Sequence, residues 1–325
     1  MQQLQPNMYQ QPQPQQYNQY PEFQQPPPYI RPPISKTAIN NARHKAERPL
    51  HIMCIVIGIV AALLAAEWFF SLGSSENTID ALQQANAVVG AAEDEDAEAD
   101  RSYANLMLLI FFSPLIIFFS MQYWYALTKA YAIRVTQRNF PEIYYKSVEY
   151  ARLLGLKKVP PVYIEQQNGV INAFAAAVFG KRYAMLNAEL VDVAYMEHKD
   201  FEPVYFVLAH EFGHIYFGHV TFWHNLWVYV AHLIPVIGSI HSRAREYSCD
   251  RVAQLLTERY GAQEFMVVTA GRHLYKYVDV DDYLQSVKYE GGFGVRMVNL
   301  LASHPITPKR IAALADPQLK SGKLL

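Results

Sequence analysis

His210-Glu211-Phe212-Gly213-His214 sits inside Val204–Val220, a stretch with helix-compatible apolar filling. Two imidazoles four residues apart stack on one face of an α-helix, about 6 Å apart at Cβ. That separation suits two ligands of one Zn²⁺. Glu211 stands roughly 100° round the helix from His210. There it can reach a metal-held water without being a ligand, which is the place of a general base. Two ordinary histidines on a helix give the same letters, so a third ligand decides between the readings.

Ser242-Arg243-Ala244-Arg245-Glu246-Tyr247-Ser248-Cys249-Asp250 also reads as helix. Glu246 and Asp250 are four apart and share a face. Glu246 serves as the carboxylate ligand, and Asp250 as the group that fixes a liganding imidazole. Two His, one Glu and an open position describe a catalytic zinc, one ion per chain. A surface helix of mixed charge is the other reading of this stretch alone. His219 is set aside. The pattern H-E-x-x-H-x-x-G-x-x-H needs a glycine and a histidine that Gly218 and His219 each miss by one position. On a continuing helix His219 is turned about 140° from His214.

With these blocks in place the chain resembles the M48 family of membrane-associated zinc metalloproteases. Asn172-Ala173-Phe174-Ala175, the His210–His214 run with His219, the Ser242–Asp250 run, and His304-Pro305 with Arg310-Ile311 follow in the family's order across residues 140–315. The resemblance implies a fold that is mainly α with a small β-sheet or hairpin. This would be a zincin-like, gluzincin-type metalloprotease domain preceded by a two-helix transmembrane hairpin. It implies endopeptidase activity, with His210, His214 and Glu246 on the metal and Glu211 as base. Asn172, Ala173, Phe174 and Ala175 then match a substrate-binding edge, to which a peptide adds by main-chain hydrogen bonds. His304 becomes the donor to the oxygen that gains charge, worth on the order of 3 kcal/mol. Arg310 orients substrate or braces the site. Cys249 stands where the family more often has alanine, and a buried thiol packs as a small hydrophobe.

The 325 residues carry a formal net charge of -1 and no basic stripe, so nucleic acid is not an expected partner. The two cysteines, Cys54 and Cys249, sit in unrelated segments and suit a reducing compartment. Residues 1–46 read as a tail, and Met1–Pro33 is rich in Gln, Pro and Tyr, too polar to form a core. Leu50–Leu72 and Ala104–Ala126 are apolar runs of bilayer length, the second holding Pro114 and ending in Tyr123-Trp124-Tyr125. They define a hairpin over 47–126 and leave 127–325 for the peptidase domain.

Lys36, Arg43, Lys45 and Arg48 precede the first run, and Lys129, Arg134 and Arg138 follow the second. The intervening loop 73–103 is acidic, with Glu76, Asp80, Glu93, Asp94, Glu95, Asp96, Glu98 and Asp100 against Arg101 alone. The positive-inside rule puts the loop outside and the catalytic domain in the cytoplasm. The expected setting is a bacterial inner (cell) membrane, with the bilayer and peptide or protein substrates, membrane proteins among them, as partners.

Thr221–Ile240 is a third apolar stretch, lying between His214 and Glu246. A single crossing would put ligands of one ion on opposite sides of the membrane. The stretch therefore doubles back, as a helical hairpin or a shallow interfacial element, broken at Pro235 and Gly238. His224, His232 and His241 read as surface or packing residues. Elsewhere the pattern predicts a helix over Pro141–Leu156, a strand over Val162–Glu165, a hairpin of Ile171–Phe179 with Arg182–Leu186, and helices from Ala188 and from Pro308. The expected role is membrane-protein quality control. CAAX-type processing and a non-catalytic membrane scaffold are the alternatives.

Overall fold

The computed structural model describes residues 31–74, 95–290, 292–315 and 322–324. The Gln/Pro-rich expectation for Met1–Pro33 and most of the acidic loop lie outside the described residues. Pro33–Leu325 form one compact unit.

A short helix α1 (Lys36–Ala42), capped by the Ser35 hydroxyl, leads into α2 (Glu47–Ser74), and α3 runs over Glu95–Tyr131. Glu47–Phe70 and Ser102–Tyr131 are each long and apolar enough to cross a membrane. Their apolar side chains face outward: Ile52, Val56, Leu63, Phe70, Leu115 and Phe119 are exposed. A helix serving as a soluble core would bury them. The second helix begins at Glu95, before the apolar run that the sequence marks.

Strand β1 (Ile133–Arg134) and helix α4 (Pro141–Leu153), with Pro141 in its first turn, precede β2 (Val162–Glu165). Strands β3 (Ala173–Val178) and β4 (Lys181–Asn187) form the expected hairpin. The sheet order is β1-β2-β4-β3; β2 and β4 are parallel and the other two pairs antiparallel. Strand β3 is thus a sheet edge, paired only with β4. Helix α5 (Ala188–Asp192) passes into a π turn over Val193–Glu197, where the sequence predicts a plain helix.

Helix α6 (Glu202–Phe217) carries the His-Glu run and ends at Gly218. Its Leu208, Ala209 and Phe212 pack with Ala184 and Leu186 of β4 in the main core. Helix α7 (Phe222–Leu233) and helix α8 (Pro235–Thr257) are separated only by Ile234, whose extended backbone turns the chain back. The doubling-back is therefore a helical hairpin. Pro235 sits at the break as expected. Gly238 does not: it lies inside α8, where an added Cβ would stand 2.7 Å from the His232 Cα. Helices α9 (Ala262–Leu274), α10 (Val280–Glu290), α11 (Phe293–Leu301) and α12 (Thr307–Ala315) complete the chain. Helix α6 lies against α8 at Gly213, where a Cβ would meet the Cys249 Cα at 3.1 Å. Only a bare backbone lets the two helices come this close.

Candidate active site

The close approach of α6 and α8 brings three side chains to one point. The Nε2 atoms of His210 and His214 are 3.2 Å apart. Glu246 Oε2 lies 3.5 Å from His210 Nε2, and Oε1 lies 3.3 Å from His214 Nε2. A tetrahedral ion with ligands at about 2.0–2.1 Å has edges of about 3.3–3.4 Å. The two ring nitrogens and the Glu246 carboxylate, which turns one oxygen to each ring, are therefore spaced as ligands of one such ion, with borderline nitrogen and hard oxygen donors together. Glu211 is buried at the next helical position and lines the same cleft.

Charge supports the same fit. Glu211, Glu246 and Asp250 are three buried carboxylates gathered about the buried guanidinium of Arg310. Burial and Arg310 disfavour a charged His210, yet the bonds and charge of Asp250 and Glu246 outweigh them and raise it to about 9. Burial raises Glu211, against the pull of His210 and His214. Burial alone would protonate Glu246, but Arg310 and bonds from His210, His214 and His304 hold it well below the usual carboxylate range. A dication at this point would replace the imidazole proton that these carboxylates favour.

Each imidazole has its own support. His210 Nδ1 lies 2.8 Å from Asp250 Oδ1. Arg310 grips both Asp250 oxygens at 2.7 Å, reaches Glu246 Oε2 at 3.2 Å, and lies over the Phe265 ring. His214 Nδ1 lies 3.0 Å from His219 Nδ1, and His219 Nε2 lies 3.1 Å from Glu47 Oε1. Glu47 also forms an ion pair with Arg43, whose Nε stands 3.1 Å from its Oε1, and accepts from the Ser248 hydroxyl. With the Nε2 lone pair of His214 turned to an ion, its Nδ1–H donates to His219, whose Nε2–H then donates to Glu47. Burial, with His214 and Arg245, holds His219 well below its ordinary value, so that ring is neutral and can act both ways.

His304 reaches the site by its Nδ1, 3.0 Å from Glu246 Oε2, while most of the ring stays exposed. Arg243, fully buried, takes the carbonyls of Asn299, Leu300, Ala302 and Leu324 and so pins the turn before His304. Asn172, Ala173, Phe174 and Ala175 line the cleft of about 830 Å³ that also contains His210, Glu211, His214 and Glu246. The residues expected at the metal, as base and along the substrate edge, with His304 and Arg310, line this one cleft, while Asp250 stands behind His210.

The sequence reading missed Glu47, Arg243 and the part played by His219. Glu47 stands 172 residues from its partner, with no local pattern to mark it. Of the histidines read as surface or packing residues, His232 is exposed, His224 half-buried and His241 buried. His51, His224 and His241 stack with ring centroids 4.7–5.8 Å apart and interplanar angles of 10–26°. Their ring nitrogens lie within 4.8 Å of one another. Near-parallel rings aim their lone pairs along parallel lines, not at a common point. Cys249 is buried against Gly213, and burial raises its thiol well above the ordinary value, as a packing residue requires.

Comparison with curated proteins and with solved structures returns no match. The model of Peptidase family M48 matches residues 137–225 and 221–318, which contain α6, α8 and every cleft residue named above, while Glu47 and Arg43, which support His219 from outside the cleft, lie before the match. On that match, over a site whose donors already outline a metal's coordination face, the chain belongs to peptidase family M48.

Proposed function

We propose that the chain is a membrane-anchored zinc endopeptidase. The observation that carries this is the meeting of His210 and His214, Nε2 atoms 3.2 Å apart, with the Glu246 carboxylate, one oxygen 3.5 Å from the first ring and the other 3.3 Å from the second, and the buried Glu211 carboxyl beside them. The arrangement is that of a zincin whose third ligand is a glutamate. Zinc held there would acidify a water and polarise the scissile carbonyl. Glu211 takes the proton of the attacking water and delivers it to the leaving amine; its raised pKa suits a group that must both accept and release a proton. His304, anchored on Glu246 through Nδ1, keeps its second ring nitrogen for the substrate oxygen that gains charge. Asp250 and Arg310 fix His210, and Arg310 acts through them without touching substrate.

The substrate lies along β3. Asn187 N–H donates to Asn172 O, which makes 172 and 187 a hydrogen-bonded pair. By alternation, 174 and 176 also face β4, while the N–H of Ala175 points to the open edge. A peptide strand added there runs beside the metal ligands. The working division is a tail to residue 46, a membrane hairpin over 47–126 and a peptidase domain over 127–325. The catalytic domain is cytoplasmic in an inner membrane, and the role is membrane-protein quality control. Outward apolar faces on α2 and α3 support the anchor.

Glu211→Gln tests the reading. Full-length protein in detergent should keep one zinc per chain by elemental analysis and lose peptide hydrolysis by about a thousandfold or more. Cleavage at the wild-type rate would remove Glu211 as the base, and absence of zinc from the wild type would remove the reading itself.

A further inference from the structure

Arg245 stands one residue before Glu246 on α8 but enters a different part of the cleft wall, with Asn225 of α7. Its bonds are sparse. One terminal nitrogen lies 3.1 Å from His224 Nε2 and the other 3.1 Å from Ser242 Oγ, both uncharged acceptors. Its Nε is buried without a partner. A guanidinium has five N–H donors, and these contacts use two. The neighbouring arginines are more fully engaged: Arg310 holds Asp250 and Glu246, and Arg243 donates to four carbonyls, although its Nη2 is also buried without a partner.

Among the described residues no carboxylate lies within ion-pair distance of Arg245. The nearby ones are committed. Glu246 faces His210, His214, His304 and Arg310, and Glu47 faces Arg43, His219 and Ser248. A cation left inside a protein without counter-charge is unfavourable. Here it borders a cleft into which a ligand can bring that charge. Away from the metal ligands and their neighbours, the cleft has an apolar part with Leu190, Phe206, Val207, Phe265 and Val268 in its lining.

We propose that Arg245, with Asn225, forms an anion-accepting subsite, and that the enzyme selects peptides placing a carboxylate there and apolar side chains along the rest of the cleft. The proposal rests on the peptidase reading and names its substrate class. The carboxylate belongs either to an acidic side chain near the scissile bond or to the C-terminus of the peptide. Arg–carboxylate pairing in a shielded site is directional and gives strong discrimination against the neutral isostere.

Zinc-loaded full-length protein in nanodiscs is given quenched-fluorescence peptides carrying Glu or Gln at each position around the cleavage point, each with a free or amidated C-terminus. One Glu peptide, or the free-acid series, should be cleaved with kcat/KM about tenfold above its neutral partner, the difference lying in KM. Arg245→Gln should bring that ratio toward one, and Arg245→Lys should keep part of it. Fluorescence anisotropy with Glu211→Gln measures the same preference without turnover. A wild-type ratio near one at every position and for both termini, in cleavage and in binding, overturns the subsite. If Arg245→Gln fails to fold, the wild-type ratios and Arg245→Lys still decide. If no peptide is cleaved but the binding preference is present, the peptidase reading falls and the subsite stands.

Discussion

Two short chains of side chains steady the two imidazoles, and they differ in kind. His210 leans on Asp250, which Arg310 holds by two parallel bonds. His214 leans on His219, which leans on Glu47. Groups in this position usually change metal affinity by about 10–100-fold when removed. Asp250→Asn and Glu47→Gln should each weaken zinc binding by about tenfold or more, measured by competition with a chromophoric chelator. Arg310→Lys keeps the charge but loses the fork, so it should fall between wild type and Asp250→Asn. Unchanged affinity in Glu47→Gln would break the second chain. At this scale the residues legible in the sequence are those related by helical spacing. His210 with His214, and Glu246 with Asp250, announce themselves because four residues make one face. Glu47 and Arg243 act on partners far along the chain, and no periodicity encodes a contact of that kind.

Between residues and fold, packing of bare backbone sets the geometry. An added Cβ at Gly58 of α2 would stand 2.4 Å from the Trp227 carbonyl oxygen of α7, a backbone atom that cannot turn aside. Gly58→Leu should lower stability by about 1–3 kcal/mol and part α2 from α7, read as a lower thermal midpoint in detergent. An unchanged midpoint would mean the two helices do not meet as described. The edge of β3 makes a sharper test. Ala175→Pro removes an N–H that points away from β4, so the ladder stays whole while the docking edge loses a donor. It should raise KM several-fold with thermal midpoint and zinc content near wild type; a normal KM would put the substrate elsewhere. The hairpin of β3 and β4 is readable from Gly180-Lys181 between two strand patterns; that 221–240 doubles back is readable if His214 and Glu246 share one ion, but not whether it does so as a helical hairpin or as a shallow element. The π turn over Val193–Glu197 was not readable, because its residues suit an α-helix equally well.

Over the whole molecule, the hairpin and the catalytic region are joined by more than a linker. Cys54 of α2 packs with Val228 and Ala231 of α7, Gly58 meets the Trp227 backbone, and Glu47 completes the support of His214. Sequence separates the two regions cleanly, since apolar runs of bilayer length stand apart from motif-bearing segments, but it is silent on how they meet. On the proposed reading, the joint would give the anchor a part in the chemistry. A fragment of residues 127–325 keeps His210, His214, Glu246, Asp250 and Arg310 and loses Glu47, Arg43 and the surface of α2. It should bind zinc about tenfold or more weakly than the full chain and expose the apolar face of α7. Chelator competition and light scattering measure the two effects. Adding α1 and α2 back, as residues 33–325, should restore affinity in detergent, and Glu47→Gln in that longer chain should cancel the gain. A fragment with full affinity would make the hairpin a tether only. A fragment that regains affinity only with Glu47 present would mean that the helix entering the membrane is also part of the metal's support.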